Sequence, residues 1–261
     1  MNGLTLPWLP PVMGPGNTAA PAVVFFDDFI TGGFVEDAEL SNESDPSGGK
    51  FSEVADRGQW LVTVIDGATD SGEIINISDA EPGGVLTLTT NDADGDGIDC
   101  QLNGEAFVVN ADRDIYFACK MKITDVDLAD WFVGLALTDT DVLGSTAGAV
   151  GFCSGDGSSA IVDGGSANVY AFLENTAFGT DSFTDTATDL VDATFIELSF
   201  HVKGASSVDY FINGNKVVSN SDSNVMLSAA DALTPTMAVR AQSAAVATLE
   251  IDYILVAQER A

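Results

Sequence analysis

The sequence predicts an all-β protein of two packed antiparallel sheets, on three observations. Apolar and polar residues alternate in short runs, the runs recur roughly every ten to fifteen residues with clusters of Gly, Asp, Asn and Ser between them, and no helical period stands out. The clearest run is DIYFACKMKIT at 114–124. Ile115, Phe117, Cys119, Met121 and Ile123 share one face and Tyr116, Lys120 and Lys122 the other, so one side meets a core and one meets water. In TFIELSFHVK at 194–203, Ile196, Leu198, Phe200 and Val202 alternate in the same way with Glu197, Ser199, His201 and Lys203. The next segment carries Asn213-Gly214, a dipeptide suited to the positive φ of tight hairpins, so 207–219 reads as a hairpin. Further strands are expected at 60–66, 85–90, 131–138, 168–173, 235–242 and 248–257, about a dozen in all, which is more than one twisted sheet comfortably holds. In the Gly- and Ser-rich run 142–168, Ala149–Cys153 and Ala160–Val162 flank SGDGSS as the two arms of a hairpin would, which keeps the run inside the domain. No repeat of fixed period suggests a propeller or solenoid.

Composition narrows the function. With 261 residues, 46% of them apolar, the chain is long enough for one large all-β domain and too apolar for disorder. Its 40 Asp and Glu against 9 Lys and Arg give a net charge of −31, which repels a phosphate backbone and an anionic membrane surface alike. Residues 1–22 are expected to form an extended arm and 23–261 a single sandwich. The opening stretch is uncharged and lacks the basic start and unbroken apolar run of a secretory leader. Pro7, Pro10, Pro11, Pro15 and Pro21 break any helix long enough to span a bilayer. Leu4, Leu6, Trp8, Leu9 and Val12 are the apolar anchors of this arm, which is expected to bind either its own domain or a neighbouring subunit. Three cysteines, Cys100, Cys119 and Cys153, are odd in number and widely spaced. They indicate neither a disulfide framework nor a zinc site, and fit assembly in a reducing compartment.

Three blocks carry a resemblance: WFVGLALTDT at 131–140, LSFHVKGASSVDYFINGNKVV at 198–218, and LTPTMAVRAQSAAVATLEIDYILVAQER at 233–260. Together they resemble the concanavalin A-like lectin and glucanase jelly roll, and more narrowly jelly-roll proteins among the virion structural proteins of tailed bacteriophages, over about residues 85–260. The resemblance implies a two-sheet jelly-roll sandwich at the capsid surface, assembled in the host cytoplasm. It also implies a cement or decoration role in which the partner is the major capsid protein and copies associate as dimers or trimers. A lectin-like adhesin in a head fibre or tail is the alternative it leaves open.

No complete reactive centre is visible. Jelly-roll glucanases set two carboxylates on one strand face. Glu250 and Asp252 share a face, but Tyr253, Ile254 and Leu255 follow and the second glutamate is missing, so no catalytic residue is assigned. His201 is the only histidine, with no serine in a nucleophile-elbow context to pair with it. The loop NDADGDGID at 91–99 places Asp92, Asp94 and Asp96 at alternate positions before Gly97, with the Ile98 carbonyl as a further oxygen. This is the first half of a calcium loop, but Asn103 stands where a bidentate Glu is needed, so the loop reads either as a weak Ca²⁺ site or as a tight Asp/Gly turn. No other cofactor is expected. Tyr116, Trp131, Tyr170 and Tyr210 are the aromatics available to a sugar site, although four scattered aromatics in a β-sandwich more often serve packing.

Overall fold

The computed structural model describes residues 22–29, 38–39, 51–57, 59–65, 73–78, 84–144, 148–155, 166–175, 180–223, 226–229, 231–242 and 245–259. In chain order the strands are β1 (Ala22–Asp27), β2 (Ala38–Glu39), β3 (Phe51–Arg57), β4 (Trp60–Ile65), β5 (Ile74–Ser78) and β6 (Val85–Thr89). Then follow β7 (Gly97–Leu102), β8 (Phe107–Val108), β9 (Ile115–Ile123), β10 (Ala129–Ala136), β11 (Ala149–Cys153) and β12 (Asn168–Asn175). The last six are β13 (Thr180–Asp189), β14 (Ile196–Lys203), β15 (Ser207–Ile212), β16 (Asn215–Asn220), β17 (Ala232–Ala241) and β18 (Thr248–Glu259). The helical content of the described residues is one 3₁₀ turn, Val126–Leu128, capped by Asp125. None of it is long and apolar enough to cross a membrane.

The strands form two antiparallel sheets. The first runs β16-β15-β14-β9-β18-β6-β5-β2, with β1 beside the second half of β18; the second runs β13-β12-β11-β10-β17-β7-β4-β3, with β8 beside β17. Long central strands hold each sheet: β18 pairs with β9 along almost its whole length, and β17 pairs with β10 over eight residues.

The core lies between the sheets. Ile115, Phe117, Cys119, Met121 and Ile123 of β9 and Leu198, Phe200 and Val202 of β14 face it, as their alternation requires. Phe200 stacks on Phe117 at 4.8 Å between ring centroids and meets Phe152 of the opposite sheet at 6.5 Å. Side-chain hydrogen bonds also cross between the sheets. The buried Tyr210 hydroxyl donates to the Phe172 carbonyl (2.7 Å), and Trp60 Nε1 donates to Asp27 Oδ2 (2.9 Å). The expected hairpin forms as β15 and β16, with Asn213 at φ 49° and Gly214 at φ 75° in its turn. A non-glycine residue there would have to enter the left-handed region at Gly214.

Ala149–Cys153 is a strand, but its neighbours are β10 and β12, each paired along its full length. Both edges of β11 are therefore occupied by described strands. The pairing with Asn168–Asn175 wins because it continues the sheet, burying the backbone groups of both strands. Ala160–Val162 itself, and the arm with Leu4, Leu6, Trp8, Leu9 and Val12, lie outside the described residues. The end of that expected arm, Ala22, already belongs to β1.

Candidate functional site

A polar cluster sits on the outer face of the second sheet, where strand alternation turns side chains away from the core. β7 supplies Asp99 and Gln101, β17 supplies Thr236 and Arg240, and β10 supplies Asp130. The segment 137–144 lies over them. Gln101 accepts from Asp139 N (2.9 Å) and donates to the Leu137 carbonyl (3.1 Å) and Thr236 Oγ1 (3.0 Å). Val142 N donates to Asp99 Oδ2 (2.7 Å), and Arg240 pairs with Asp141. Asp130 accepts from Gln242 Nε2. Beside this polar half, Val142 and Leu143 pack with Phe132, Ala136, Ala149, Cys153, Tyr170, Phe172 and Ala238 into a second apolar cluster. Gly134 and Gly151 are cross-strand partners under the Phe132 ring, where a Cβ would come 2.3 Å from the Val150 carbonyl oxygen or 2.4 Å from that of Val133. The sheet's outer face is thus roofed by its own chain.

The electrostatics follow from this roof. Asp99 is 1% exposed. Burial pushes its carboxyl up to about 7, against the opposing pull of the Val142 N–H and the Arg240 guanidinium, while Asp141 and Asp139 add to the rise. Asp99 Oδ1 and Arg240 Nε are buried without a hydrogen-bond partner among the described residues, which is costly unless something else satisfies them. The three cysteines are buried and free, and burial pushes each thiol upward, so none is a nucleophile at neutral pH.

The sequence-predicted calcium residues are not brought together. Asp92 and Asp94 are exposed, whereas Asp96 is fully buried with its carboxylate accepting from Ala93 N (3.3 Å). Ile98 belongs to β7, paired to Val64 on one side and Val239 on the other, so its backbone serves the sheet ladders. Gly95 and Asp96 exchange backbone bonds with Ala241, and the segment closes as a tight turn. Among the described residues no three His, Cys, Asp or Glu side chains are grouped to hold a metal ion.

The aromatics offered for a sugar site also need correction. Trp131 and Tyr210 face the core at 0% and 1% exposure, and Tyr116 and Tyr170 are buried too. The reason is sheet position. β10 is covered on both faces, by the core within and by segment 137–144 without, so its sequence shows an apolar run that gives no sign of which face is wet.

Glu250 and Asp252 point outward from the first sheet, as expected, and each is ion-paired: Glu250 with Lys122 at 3.1 Å, Asp252 with Lys120. His201 lies on the same face, with Nε2 2.7 Å from Asp114 Oδ2 and its ring stacked on Tyr116 at 4.2 Å. The polar cluster around Asp99 and Arg240 was not legible beforehand. Its members come from distant segments, and the only local hint, Asp99 inside an apolar strand, is shared with the calcium-loop pattern.

No family model matches the chain, and no curated protein matches its sequence. Several solved structures are similar in fold. A protein of unknown function from Shewanella oneidensis MR-1 is 11% identical, with a TM-score of 0.55 over 94% of this chain and 91% of that one. SCLam, a non-specific endo-β-1,3(4)-glucanase from family GH16, is 13% identical, with a TM-score of 0.53 over 93% and 94%. The carbohydrate recognition domain of Emp46p, in a potassium-bound form, is 10% identical, with a TM-score of 0.51 over 80% and 94%. These likenesses establish the fold, a concanavalin A-like jelly-roll sandwich. Its neighbours include carbohydrate-binding and glycan-active proteins.

Proposed function

We propose that this chain is a non-catalytic structural protein of a phage particle, a cement or decoration protein that adheres to the shell of major capsid protein. The observation that carries the non-catalytic reading is the roof over the second sheet: Val142 and Leu143 pack down on it and bury the polar groups around Asp99, so that cluster is closed to a substrate. The carboxylates that an enzyme would use are tied into Lys122–Glu250, Lys120–Asp252 and Arg240–Asp141 pairs. The place on a virion rests on the sequence resemblance over residues 85–260. The net charge of −31 agrees with it, since an acidic surface would complement basic patches on a shell.

The test is binding to the particle. Full-length protein added to shells that lack it should bind to saturation at a fixed ratio to the major capsid protein, and deletion of residues 1–22 should abolish that binding. Absence of the chain from purified particles contradicts the proposal, as does release of reducing sugar from a β-glucan that is lost in Glu250→Gln.

One observation favours a second reading, carbohydrate binding. A hydroxyl can donate to the unpartnered Asp99 Oδ1 and accept from Arg240 Nε, so displacement of segment 137–144 by a glycan would satisfy both. Retention on a glycan array, lost in Arg240→Ala, supports it. No retention on any glycan removes it.

A further inference from the structure

The outer face of the first sheet differs in charge from the rest of this acidic chain. Four of the five lysines stand on it, Lys120 and Lys122 from β9, Lys203 from β14 and Lys216 from β16. Each is matched: Lys120 with Asp252, Lys122 with Glu250, and Lys203 and Lys216 both with Asp209, at 2.5 and 2.6 Å. Lys120 and Lys122 also lie over the Phe195 ring at 4.7 and 4.6 Å. With Asp114, Glu197 and Glu259 added, four lysines face six carboxylates among the described residues, about two net negative charges on a chain that carries −31.

Beside this belt of ion pairs, β1 presents Val24 and Phe26 outward at 45% and 51% exposure, the Phe26 ring 6.2 Å from that of Tyr253. The strand that carries them is fixed from within. Phe25 meets Trp60 edge-on at 5.7 Å, Asp27 accepts from Trp60 Nε1, and Phe29 is buried. An aromatic held on a rigid strand loses little freedom on contact, which is what makes such a residue an effective interface anchor.

We infer that this face docks a second copy of the chain across a two-fold axis, with Val24 and Phe26 near its centre. The charge distribution selects this occupant. Among the described residues every lysine stands on this face and the remaining carboxylates lie mostly off it, so two copies meeting elsewhere bring acidic surfaces together, whereas face to face each presents apolar side chains framed by ion pairs within its own sheet. A basic partner would be steered to the acidic remainder of the surface instead. The inference is independent of shell binding and can fail or hold without it.

Sedimentation equilibrium of the full chain from about 1 to about 100 µM tests it. The wild type should dimerise, and Phe26→Asp should weaken the dimer by at least about thirtyfold, as loss of a central anchor does. Val191→Asp, at an exposed valine in the turn after β13, should leave it unchanged. Because Phe26→Asp could perturb folding, Phe26→Cys gives a second reading. The three native thiols are buried, so mild oxidation should yield a covalent dimer from Phe26→Cys and none from Val191→Cys. A monomer throughout the range overturns the inference. So does association that survives Phe26→Asp, or association that disappears on deleting residues 1–21, which would make the leading segment the occupant of the face.

Discussion

Asp99 shows how burial sets the chemistry of a single residue here. Burial pushes its folded carboxyl up to about 7, well above the ordinary carboxylate range, so near neutral pH the folded state keeps a proton that the unfolded state has released. Stability from this group is therefore full below about pH 4, declines as pH rises toward 7 and then levels off, a loss on the order of 4 kcal/mol. Asp99→Asn retains an acceptor for Val142 N and removes the titration. Urea unfolding should show the variant gaining on the wild type between pH 4 and pH 8, and parallel curves across that range would refute the assignment. Asp209 shows the opposite case. Burial raises its carboxyl, but Lys203, Lys216 and Ser219 together outweigh burial and hold it well below the usual range. It contributes stability above its unfolded value that is lost as the pH falls into acid. Asp209→Asn should cost about 1–3 kcal/mol at pH 7, less at pH 3, by the same measurement. The cysteines are inert by burial, so a thiol reagent should label none in the native protein and three after denaturation. Labelling before unfolding would show the core to be looser than described.

At the scale of elements, the structure separates what alternation reveals from what it hides. β9, β14 and the β15–β16 hairpin are legible in the sequence because one face of each is wet, and Asn213-Gly214 supplies a turn with a local cause. Gly214→Ala should cost about 1 kcal/mol by forcing a Cβ into φ 75°, a shift readable in the unfolding midpoint. β10 and β17 are recognisable as strands, but burial on both faces erases their alternation, so the sequence leaves Trp131 open to either a packing or a sugar-binding role. β13 escapes notice because an edge strand rich in Asp and Thr, TDSFTDTATD, lacks an apolar face; polar residues there discourage pairing with another chain. The roof at 137–144 is invisible in sequence because its anchors on Asp99, Gln101 and Arg240 are long-range. Gly151→Ala should damage this region most, since a Cβ 2.4 Å from the Val133 carbonyl oxygen forces β10 and β11 apart. We expect a loss of at least about 3 kcal/mol, or no folded protein, and a stability within about 0.5 kcal/mol of wild type would show that the close pairing is wrong.

For the whole molecule, the two sheets divide the work. The second is covered on its outer face where segment 137–144 packs across its central strands. The first carries every described lysine on its outer face, each ion-paired, beside the exposed side chains of Val24 and Phe26. That division suits a protein that acts by adhesion better than one that acts by chemistry. The most direct measurement is electron microscopy of purified phage particles of the kind proposed to carry the chain. The account predicts a two-sheet sandwich bound at regular positions on the outside of the major capsid protein shell, with weight for residues 1–22 running onto a neighbouring subunit. A particle with no such density, and the chain recovered free with glycan-cleaving activity, would contradict it.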